Sequence, residues 1–430
     1  MWKVGFGEAD ITPSVPVRLA GYYYPRLSTG VHDPLAIRAM AVSDGADRIL
    51  LAVADLIHLP EDVVARARQL LREECGIPED HAILSCIHTH TGPAVNEEKE
   101  YARALPERFA DAARQALDDL RPSEIRFARG EERTVAFCRR YRMKDGSVRT
   151  NPGILNPDVS EPLGTPDYSV SVLLAEGQAA PQGAVVHYGL HCDTVGGTEI
   201  SADWTYYVRD LMRRRLVRDL HVLTPIGTAG DVNHWNVFAP VTSRGFAETE
   251  RIGHAIASVA LDAVAHAERV SPGPVRGARE IVDLAVRVPS EAELAAARAT
   301  WDRPPADGVD FTMDRVAAWR MIRAADIGPK LRVSVTVLAF GDVALVGMPC
   351  ELFTDLGREI RARSPFAHTL VVTLADANIG YVAPRRAYEE GGYETTSSVL
   401  APGMGERLAD VAVSLLRSCA REMKGPCHAD

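Results

Sequence analysis

Two histidines, His88 and His90, stand two residues apart in segment 84–95, after an apolar run and before a Gly-Pro turn. Successive side chains of an extended chain alternate between faces, so residues two apart point to the same side. Two imidazoles at a strand end can therefore present nitrogen to a metal ion or to a substrate. The pair alone is equally compatible with two solvated histidines, or with histidines that bond to backbone carbonyls.

Four further segments share this layout, in which an apolar, strand-like run ends in a polar turn marked by Gly or Pro. They are residues 187–191, 230–234, 348–351 and 378–381. In sheets covered by helices, ligands bind beyond the strand ends, so we expect these turns to form the site. Together they offer imidazoles, a carboxylate and a phenol. Neutral imidazole with a carboxylate is the usual ligand set of a catalytic zinc ion that keeps one open position.

Each of these residues also has a plainer interpretation. His187 and His191 are four apart, but the Gly and β-branched residues around them argue against an HExxH helix, and we expect one of the two to pack in the core. Glu351 opens a predicted helix, where a carboxylate also stabilises the helix N-terminus. A lone tyrosine such as Tyr381 is most often a half-buried core residue.

Other catalytic and nucleotide-binding signatures are absent from the sequence. Gly92 and Pro93 stand where the HxHxDH signature of metallo-β-lactamases requires Asp and His. There is no GxSxG elbow for a serine nucleophile. There is no GxGxxG or GxxxxGK[ST], so the sequence gives no support for nucleotide binding.

Composition excludes several classes of protein. The net charge of −10 over 430 residues argues against a broad nucleic-acid surface, which needs a basic footprint. No stretch reaches the roughly 20 apolar residues of a membrane span, and Lys3, Glu8 and Asp10 interrupt any signal peptide. Seven cysteines without framework spacing indicate reduced thiols. We therefore predict a cytoplasmic protein without a stable membrane anchor, and the oligomeric state stays open.

The alternation of β-like and helical runs predicts the fold class. Strand-like runs such as 48–59 alternate with amphipathic helical runs such as 61–76 and 248–270, which favours an α/β fold with mixed sheets flanked by helices. The segment SPGPVRG, residues 271–277, is typical of a joint. We predict that residues 1–430 form one catalytic domain of two subdomains that meet at this joint.

Eight motifs follow one another along the chain. Each motif alone is weak evidence for a protein family, but their order is specific. They are GFGEADITP (5–13), LAGYYYPRLSTGVHDPLAIRAM (19–40), HTHTGP (88–93), CRRYR (138–142), GAVVHYGLHCDT (183–194), GTAGDVN (227–233), MPCELFTDLGREIR (348–361) and NIGYVAPRRAYEEGGYE (378–394). In this order they resemble the catalytic domain of the neutral/alkaline ceramidase family, zinc-dependent amidases that split ceramide into fatty acid and sphingosine. The resemblance covers almost the whole chain, without the family's immunoglobulin-like C-terminal domain.

The resemblance implies a role for each site residue. It implies that a zinc ion, with a water completing the site, is held by His88, His191, Glu351 and Tyr381. His90 would lie beside that water or the scissile carbonyl and move a proton, and Arg139 would hydrogen-bond the substrate. The phenolate of Tyr381 could also turn from the metal to the oxyanion. Which of His88 and His90 binds the metal directly stays open, because the two face the same way.

The function implied is zinc-dependent hydrolysis of an amide (N-acyl) bond by metal-activated water. The sequence departs from the family in the loop after Val232, where Asn233 and His234 replace Ser and Pro, and at Cys350, which replaces Gly. We expect Trp204 and Trp235 to add bulk at the site, which favours a short or polar N-acyl substrate as much as ceramide. The alternatives are an esterase or lactonase on the same metal centre and a catalytically silent metal-binding protein.

Overall fold

The computed structural model describes residues 1–178, 180–241, 243–303 and 312–424, which contain twenty-two strands, ten α-helices and one 3₁₀ turn (Glu79–His81). The strands are β1 (Trp2–Asp10), β2 (Gly30–Val31), β3 (Ala36–Ser43), β4 (Arg48–Ala54), β5 (Ala82–Cys86), β6 (Arg121–Glu131), β7 (Phe137–Cys138), β8 (Arg140–Met143), β9 (Val148–Thr150), β10 (Val159–Pro162), β11 (Ser169–Glu176), β12 (Pro181–His187), β13 (Glu199–Ile200), β14 (His221–Leu223), β15 (Val232–Asn233), β16 (Glu268–Arg269), β17 (Val275–Ala285), β18 (Lys330–Phe340), β19 (Val343–Gly347), β20 (Glu351–Leu352), β21 (His368–Val372) and β22 (Tyr381–Val382). The helices are α1 (Glu61–Cys75), α2 (Lys99–Asp118), α3 (Trp204–Arg215), α4 (Phe246–Val264), α5 (Glu291–Asp302), α6 (Met313–Ile327), α7 (Thr354–Arg363), α8 (Arg385–Glu390), α9 (Tyr393–Ser397) and α10 (Met404–Met423).

The first half of the chain builds a nine-stranded mixed sheet. Its order is β14-β12-β11-β6-β1-β3-β4-β5, with β16 added to β6. Only β4–β5 and β12–β14 pair in parallel. Helix α2 lies very close to β1. A Cβ added at Gly5 or Gly7 of β1 would stand only 2.1 or 2.2 Å from a carbonyl oxygen of α2. The predicted fold class, α/β with mixed sheets flanked by helices, is confirmed.

The second half builds a four-stranded sheet in the order β17-β18-β19-β21. A hairpin joins β18 to β19, and Gly341 has a φ of +57° at its turn. One face of this sheet packs on the first sheet, with Trp2 edge-on to Phe340 and Phe127 stacked on His368. Helix α10 packs on β17 and β18. The result is two sheets packed face to face, with helices outside them.

The segment 271–277 leads into β17 and is tied to the first sheet. The indole Nε1–H of Trp2 donates to the carbonyl of Gly273 at 2.9 Å, and the amide of Val275 donates to Asp44 at 2.8 Å. The large apolar cluster holds residues from both sides of this segment. The division into two subdomains here stays a prediction. Among the described residues, no helix is both long enough and apolar enough to cross a bilayer.

A buried ion network closes the end of β4. The Asp55 carboxylate accepts from Arg38 at 2.6 Å and from Arg209 at 3.1 Å, and all three side chains are at least nine-tenths buried. It also accepts from the amide of Ala36, at the start of β3, at 3.0 Å. Burial alone would raise the pKa of Asp55, but the two arginines outweigh burial and lower it. The network therefore joins two strands to helix α3.

We expect Asp55→Ala to lower the free energy of unfolding by about 3–5 kcal/mol, because it leaves the buried guanidinium of Arg209 without its carboxylate and that of Arg38 with Glu8 alone. Glu97→Ala is the control, since Glu97 pairs with Arg18 at the surface, where both side chains are more than half exposed. Removal of that pair should cost at most about 1 kcal/mol. Chemical denaturation followed by circular dichroism measures both. Equal losses in the two variants would contradict a structural role for the network.

Candidate metal centre

The histidine pair of segment 84–95 lies beyond the strand rather than in it. Strand β5 ends at Cys86, and His88 has a φ of +66°, in the left-handed region. The expected alternation of an extended chain through His90 is therefore wrong. A non-glycine residue in this conformation costs roughly 1–3 kcal/mol, which the surrounding structure must offset. The turn still brings the pair together, since their ring centroids are 5.0 Å apart.

Backbone carbonyls fix the orientation of two imidazoles. The Nδ1–H of His88 donates to the carbonyl of Ile57 at 2.9 Å, and the Nδ1–H of His191 donates to that of Ala229 at 2.8 Å. A carbonyl only accepts, so in the neutral imidazole each Nε2 keeps its lone pair. Both Nε2 atoms face Oε2 of Glu351, at 3.3 Å from His88 and 3.2 Å from His191. Three electron-pair donors thus converge on one place.

Glu351 and Tyr381 are brought side by side by the backbone. They are opposite each other in the parallel pair β20–β22, and neighbouring residues in register lie on the same side of a sheet. The amide of Glu351 donates to the carbonyl of Gly380 at 3.0 Å. Gly230 packs on the same strand, where a Cβ would stand 2.5 Å from the carbonyl oxygen of Glu351. The predicted loops 230–234 and 378–381 therefore hold this strand from two sides.

Burial and neighbouring charge set the protonation states. Burial would raise the pKa of Glu351, but the attraction that His88 and His191 exert when these imidazoles carry a proton lowers it well below its usual value. Burial, and then His88, lower the pKa of His90 to about 3. Burial raises the pKa of the Tyr381 phenol above its usual range. Near pH 7 the centre therefore holds a carboxylate, a neutral His90 and a protonated phenol.

The residues present fit a metal ion. Three buried polar atoms here find no hydrogen-bond partner among the described residues, namely Nε2 of His90, Oε2 of Glu351 and Nη2 of Arg139. Buried polar atoms are almost always paired, so such a cluster indicates a bound group. Ligand atoms of His88, His90 and His191 lie within 4.8 Å of one another. These three histidines can hold a metal ion, and the group includes His90 as well as the two predicted ligands.

Arg139 lies against two of the predicted metal ligands, His191 and Tyr381. Its Nε–H donates to Glu394 at 2.7 Å, its guanidinium lies 4.9 Å from the ring centroid of Tyr381, and its Nη1 is 3.4 Å from Nε2 of His191. Glu394 is fully buried and also accepts from the Thr150 hydroxyl at 2.9 Å. The sequence prediction assigned no role to Glu394, although it is the last residue of the motif 378–394.

Several candidate residues prove to be structural. His187 bonds through Nε2 to the carbonyl of Val371 at 2.9 Å, between the two sheets. Asp231 accepts from the amide and hydroxyl of Thr354 at 2.9 and 2.8 Å, at the start of helix α7. Trp204 is fully buried, and its indole N–H donates to the carbonyl of His191 at 3.1 Å. The hydrogen bonds of these three residues stabilise the structure around the centre.

A cavity of about 750 Å³ opens in front of the centre. Its wall includes His88, His90, Glu351 and Tyr381. The apolar part of its wall is formed by Ile57, Leu59, Ile281, Trp319, Val333 and Ile379. Its size lies within the usual range of small-molecule sites.

The residues expected to shorten this cavity lie elsewhere. Trp204 is not part of the described cavity wall, and Trp235 instead lines a separate cavity of about 290 Å³ with Arg244. His234 is buried with its Nδ1 3.4 Å from Oδ1 of Asp193. The expectation that Trp204 and Trp235 shorten the main cavity is therefore wrong, because neither residue is part of its wall.

Fold and site together define an α/β protein with a group of histidines that could hold a metal ion, beside a cavity. No protein-family model matches the sequence. The crystal structure of neutral ceramidase from Pseudomonas aeruginosa is similar, with a TM-score of 0.76 at 19% identity, over 98% of this chain and 75% of that chain. A ceramidase complexed with C2 gives 0.74 at 18% identity, over 98% and 76%. The chain therefore has the fold of neutral ceramidase, which confirms the resemblance seen in the motifs at the level of the fold.

We expect the purified protein to carry about one divalent cation per chain, and His191→Ala and Glu351→Ala to lose it, because a catalytic site has only about three protein ligands. His81→Ala is the control, since His81 pairs with Asp80 away from the centre. Elemental analysis after dialysis gives the metal content. Full retention of metal in both ligand variants would contradict this assignment.

Proposed function

We propose that this protein is a zinc-dependent hydrolase that cleaves the amide bond of an N-acyl compound. The observation that carries the proposal is the convergence of Nε2 of His88, Nε2 of His191 and Oε2 of Glu351 at the wall of a large cavity. Imidazole nitrogen with one carboxylate oxygen is the ligand set that zinc takes in hydrolases. The ceramidase fold supports the same reaction class.

Four residues would hold the zinc ion: His88, His191, Glu351 and Tyr381. When bound, zinc supplies a Lewis acid that lowers the pKa of water to about 7 and polarises a carbonyl oxygen. The carbonyls of Ile57 and Ala229 keep the two imidazoles turned toward the site. Such outer partners fix the orientation of metal ligands.

His90 is suited to move the proton. Its Nε2 is buried and has no hydrogen-bond partner among the described residues, so this nitrogen is free to accept a proton. In the proposed reaction Nε2 takes the proton from water and delivers it to the nitrogen of the leaving amine. An amide needs this transfer, because an unprotonated amine leaves poorly.

Arg139 is suited to stabilise the charge that develops on the substrate oxygen. Its Nε–H is engaged by Glu394, whereas its buried Nη2 has no partner among the described residues. A donor held in advance stabilises a developing oxyanion without reorganisation. The phenol of Tyr381 lies beside the guanidinium and offers a second donor.

The apolar part of the cavity wall suits an acyl chain. Each buried methylene contributes about 0.8 kcal/mol, so a wall that includes Leu59, Ile281 and Val333 favours chains of several carbons. Ceramide and shorter N-acyl compounds share this feature. An ester would be cleaved by the same residues, so an esterase or lactonase is the alternative that experiment must separate.

We expect metal-dependent hydrolysis of N-octanoyl amides that a chelator abolishes and added zinc restores. Octanoyl esters of matched alcohols are the comparison, because only the amide requires protonation of its leaving group. Liberated octanoate measures both reactions. Turnover of the ester alone would favour the esterase or lactonase. Metal binding without turnover of either substrate would identify a silent metal-binding protein.

We expect His90→Ala to keep its metal and to lower kcat/KM on the amide by about 10²- to 10⁴-fold, the usual contribution of general acid–base catalysis. His88→Ala should lose metal and activity together. Elemental analysis and steady-state kinetics on the two variants give the answer. Loss of metal in His90→Ala with retention in His88→Ala would reverse the two roles.

A further inference from the structure

Four arginines line the main cavity, and three of them are paired. Arg68 lies 2.6 Å from Oδ1 of Asp376, and Arg332 lies 3.1 Å from Oδ1 of Asp283. The third, Arg279, is 3.5 Å from a carboxylate oxygen and also donates to the hydroxyl of Ser334. The charge of each of these arginines is therefore balanced within the protein.

The fourth arginine, Arg323, has no such partner. Among the described residues it forms no ion pair and no side-chain hydrogen bond, and burial lowers its pKa without any carboxylate to oppose the effect. Arginine stays charged all the same. Its guanidinium lies 5.2 Å from the ring centroid of Trp319, one turn earlier in α6, and both residues line the cavity. A half-buried cation therefore faces the cavity beside an aromatic ring.

The acids of the cavity wall are engaged elsewhere. Asp376 and Glu79 pair with arginines, and Glu351 faces the imidazoles of the metal centre. Glu61 is exposed at the first residue of α1 and takes no part in the electrostatics of Arg323. A desolvated charge without a counter-ion is costly, so the positive charge of Arg323 is left for a ligand.

Arg323 and the metal centre share one cavity. His58, which is also part of the cavity wall, interacts electrostatically with both. Its pKa is lowered to about 4, first by burial and then by His88, and Arg323 lowers it further. Arg323 itself contacts none of the residues of the metal cluster, all of which lie in the described part of the chain. A group bound by Arg323 is therefore part of the substrate remote from the bond that breaks.

We propose that Arg323 binds an anionic group of the substrate, so that the preferred substrates are N-acyl compounds that carry a carboxylate remote from the scissile amide. The guanidinium presents paired N–H donors that match a carboxylate, and Trp319 offers its ring to the adjoining carbon chain. A phosphate group shares this chemistry. The inference rests on the proposed function for the reaction, but the binding of the anion can be measured without turnover.

The binding test compares octanoate, octanamide and octyl phosphate by calorimetry on the purified protein. We expect octanoate to bind about 10- to 100-fold more tightly than octanamide, the range for hydrogen bonds to a charged group. Arg323→Gln should abolish this difference. Arg332→Gln is the matched control, since it removes a paired arginine from the same cavity wall and should preserve the difference. Protein batches of equal metal content keep any contribution of carboxylate binding to the metal the same in every variant.

Tighter binding of octyl phosphate than of octanoate, lost in Arg323→Gln, would support the anionic site and assign it to a phosphoryl group. An unchanged preference for octanoate in Arg323→Gln would overturn the proposal. So would equal binding of octanoate and octanamide to the unaltered protein.

The kinetic test uses the N-octanoyl derivative of 6-aminohexanoate and its neutral amide, in which the end group is remote from the scissile bond, together with an N-acyl amide whose acyl chain ends in a carboxylate. We expect Arg323→Gln to lower the ratio of kcat/KM for anionic over neutral substrate by about 10- to 100-fold, mainly through KM. An unchanged ratio would overturn the inference alone. If no substrate showed metal-dependent turnover, the proposed function would instead be overturned. The calorimetric comparison would then still show whether Arg323 binds an anion.

Discussion

The structure depends on one electrostatic constraint, which is that three electron-pair donors face one another in a buried place. Oε2 of Glu351 receives no hydrogen bond from the described residues, although Nε2 of His88 and of His191 lie 3.3 and 3.2 Å away. Lone pairs at this distance repel unless a positive charge lies between them, so the arrangement is suited to a cation. The left-handed backbone of His88 and the carbonyls that hold both Nδ1–H groups maintain it.

This constraint explains why the centre lies where the two halves of the chain meet. The histidines follow β5 and β12 of the first sheet, whereas Glu351 and Tyr381 come from the short pair β20–β22 beyond the second sheet. Contacts between the sheets fix the distance between the two sets. His187 bonds across to Val371, and Gly230 packs on the carbonyl of Glu351. The packing of the sheets and the geometry of the centre are therefore coupled.

Two arginines, one beside the candidate metal centre and one in the wall of the main cavity, show how the same side chain can suit different purposes. Arg139 is anchored by the fully buried Glu394, and its buried Nη2 has no hydrogen-bond partner among the described residues. Arg323 forms no ion pair within the described part of the chain, and its guanidinium lies beside the ring of Trp319. The first arrangement suits a developing charge that must meet a rigid donor. The second suits a ligand that brings its own negative charge.

The sequence by itself determined several local elements of structure and the types of side chain that could form a site. Helix α1 ends at Gly76, as its pattern indicates, because only a residue tolerant of a φ of +62° fits there, and the turn at Gly341 follows the same rule. The motifs identified His88, His191, Glu351 and Tyr381 as candidates. The strands β6 and β11 were not predicted, since their pairing depends on neighbours distant in the chain.

Only the tertiary structure decided which candidates face one another. It separated His187, a core residue, from His191, and it showed that Trp204 lies behind the centre rather than in the cavity. It also revealed that Arg323 lies beside the ring of Trp319 and forms no ion pair with any residue that the structure describes. The physical reason is that periodicity reports the conformation of a segment, whereas a site depends on sheet register and on contacts between distant segments. The carbonyl that orients His88 lies 31 residues away, and the one that orients His191 lies 38 away.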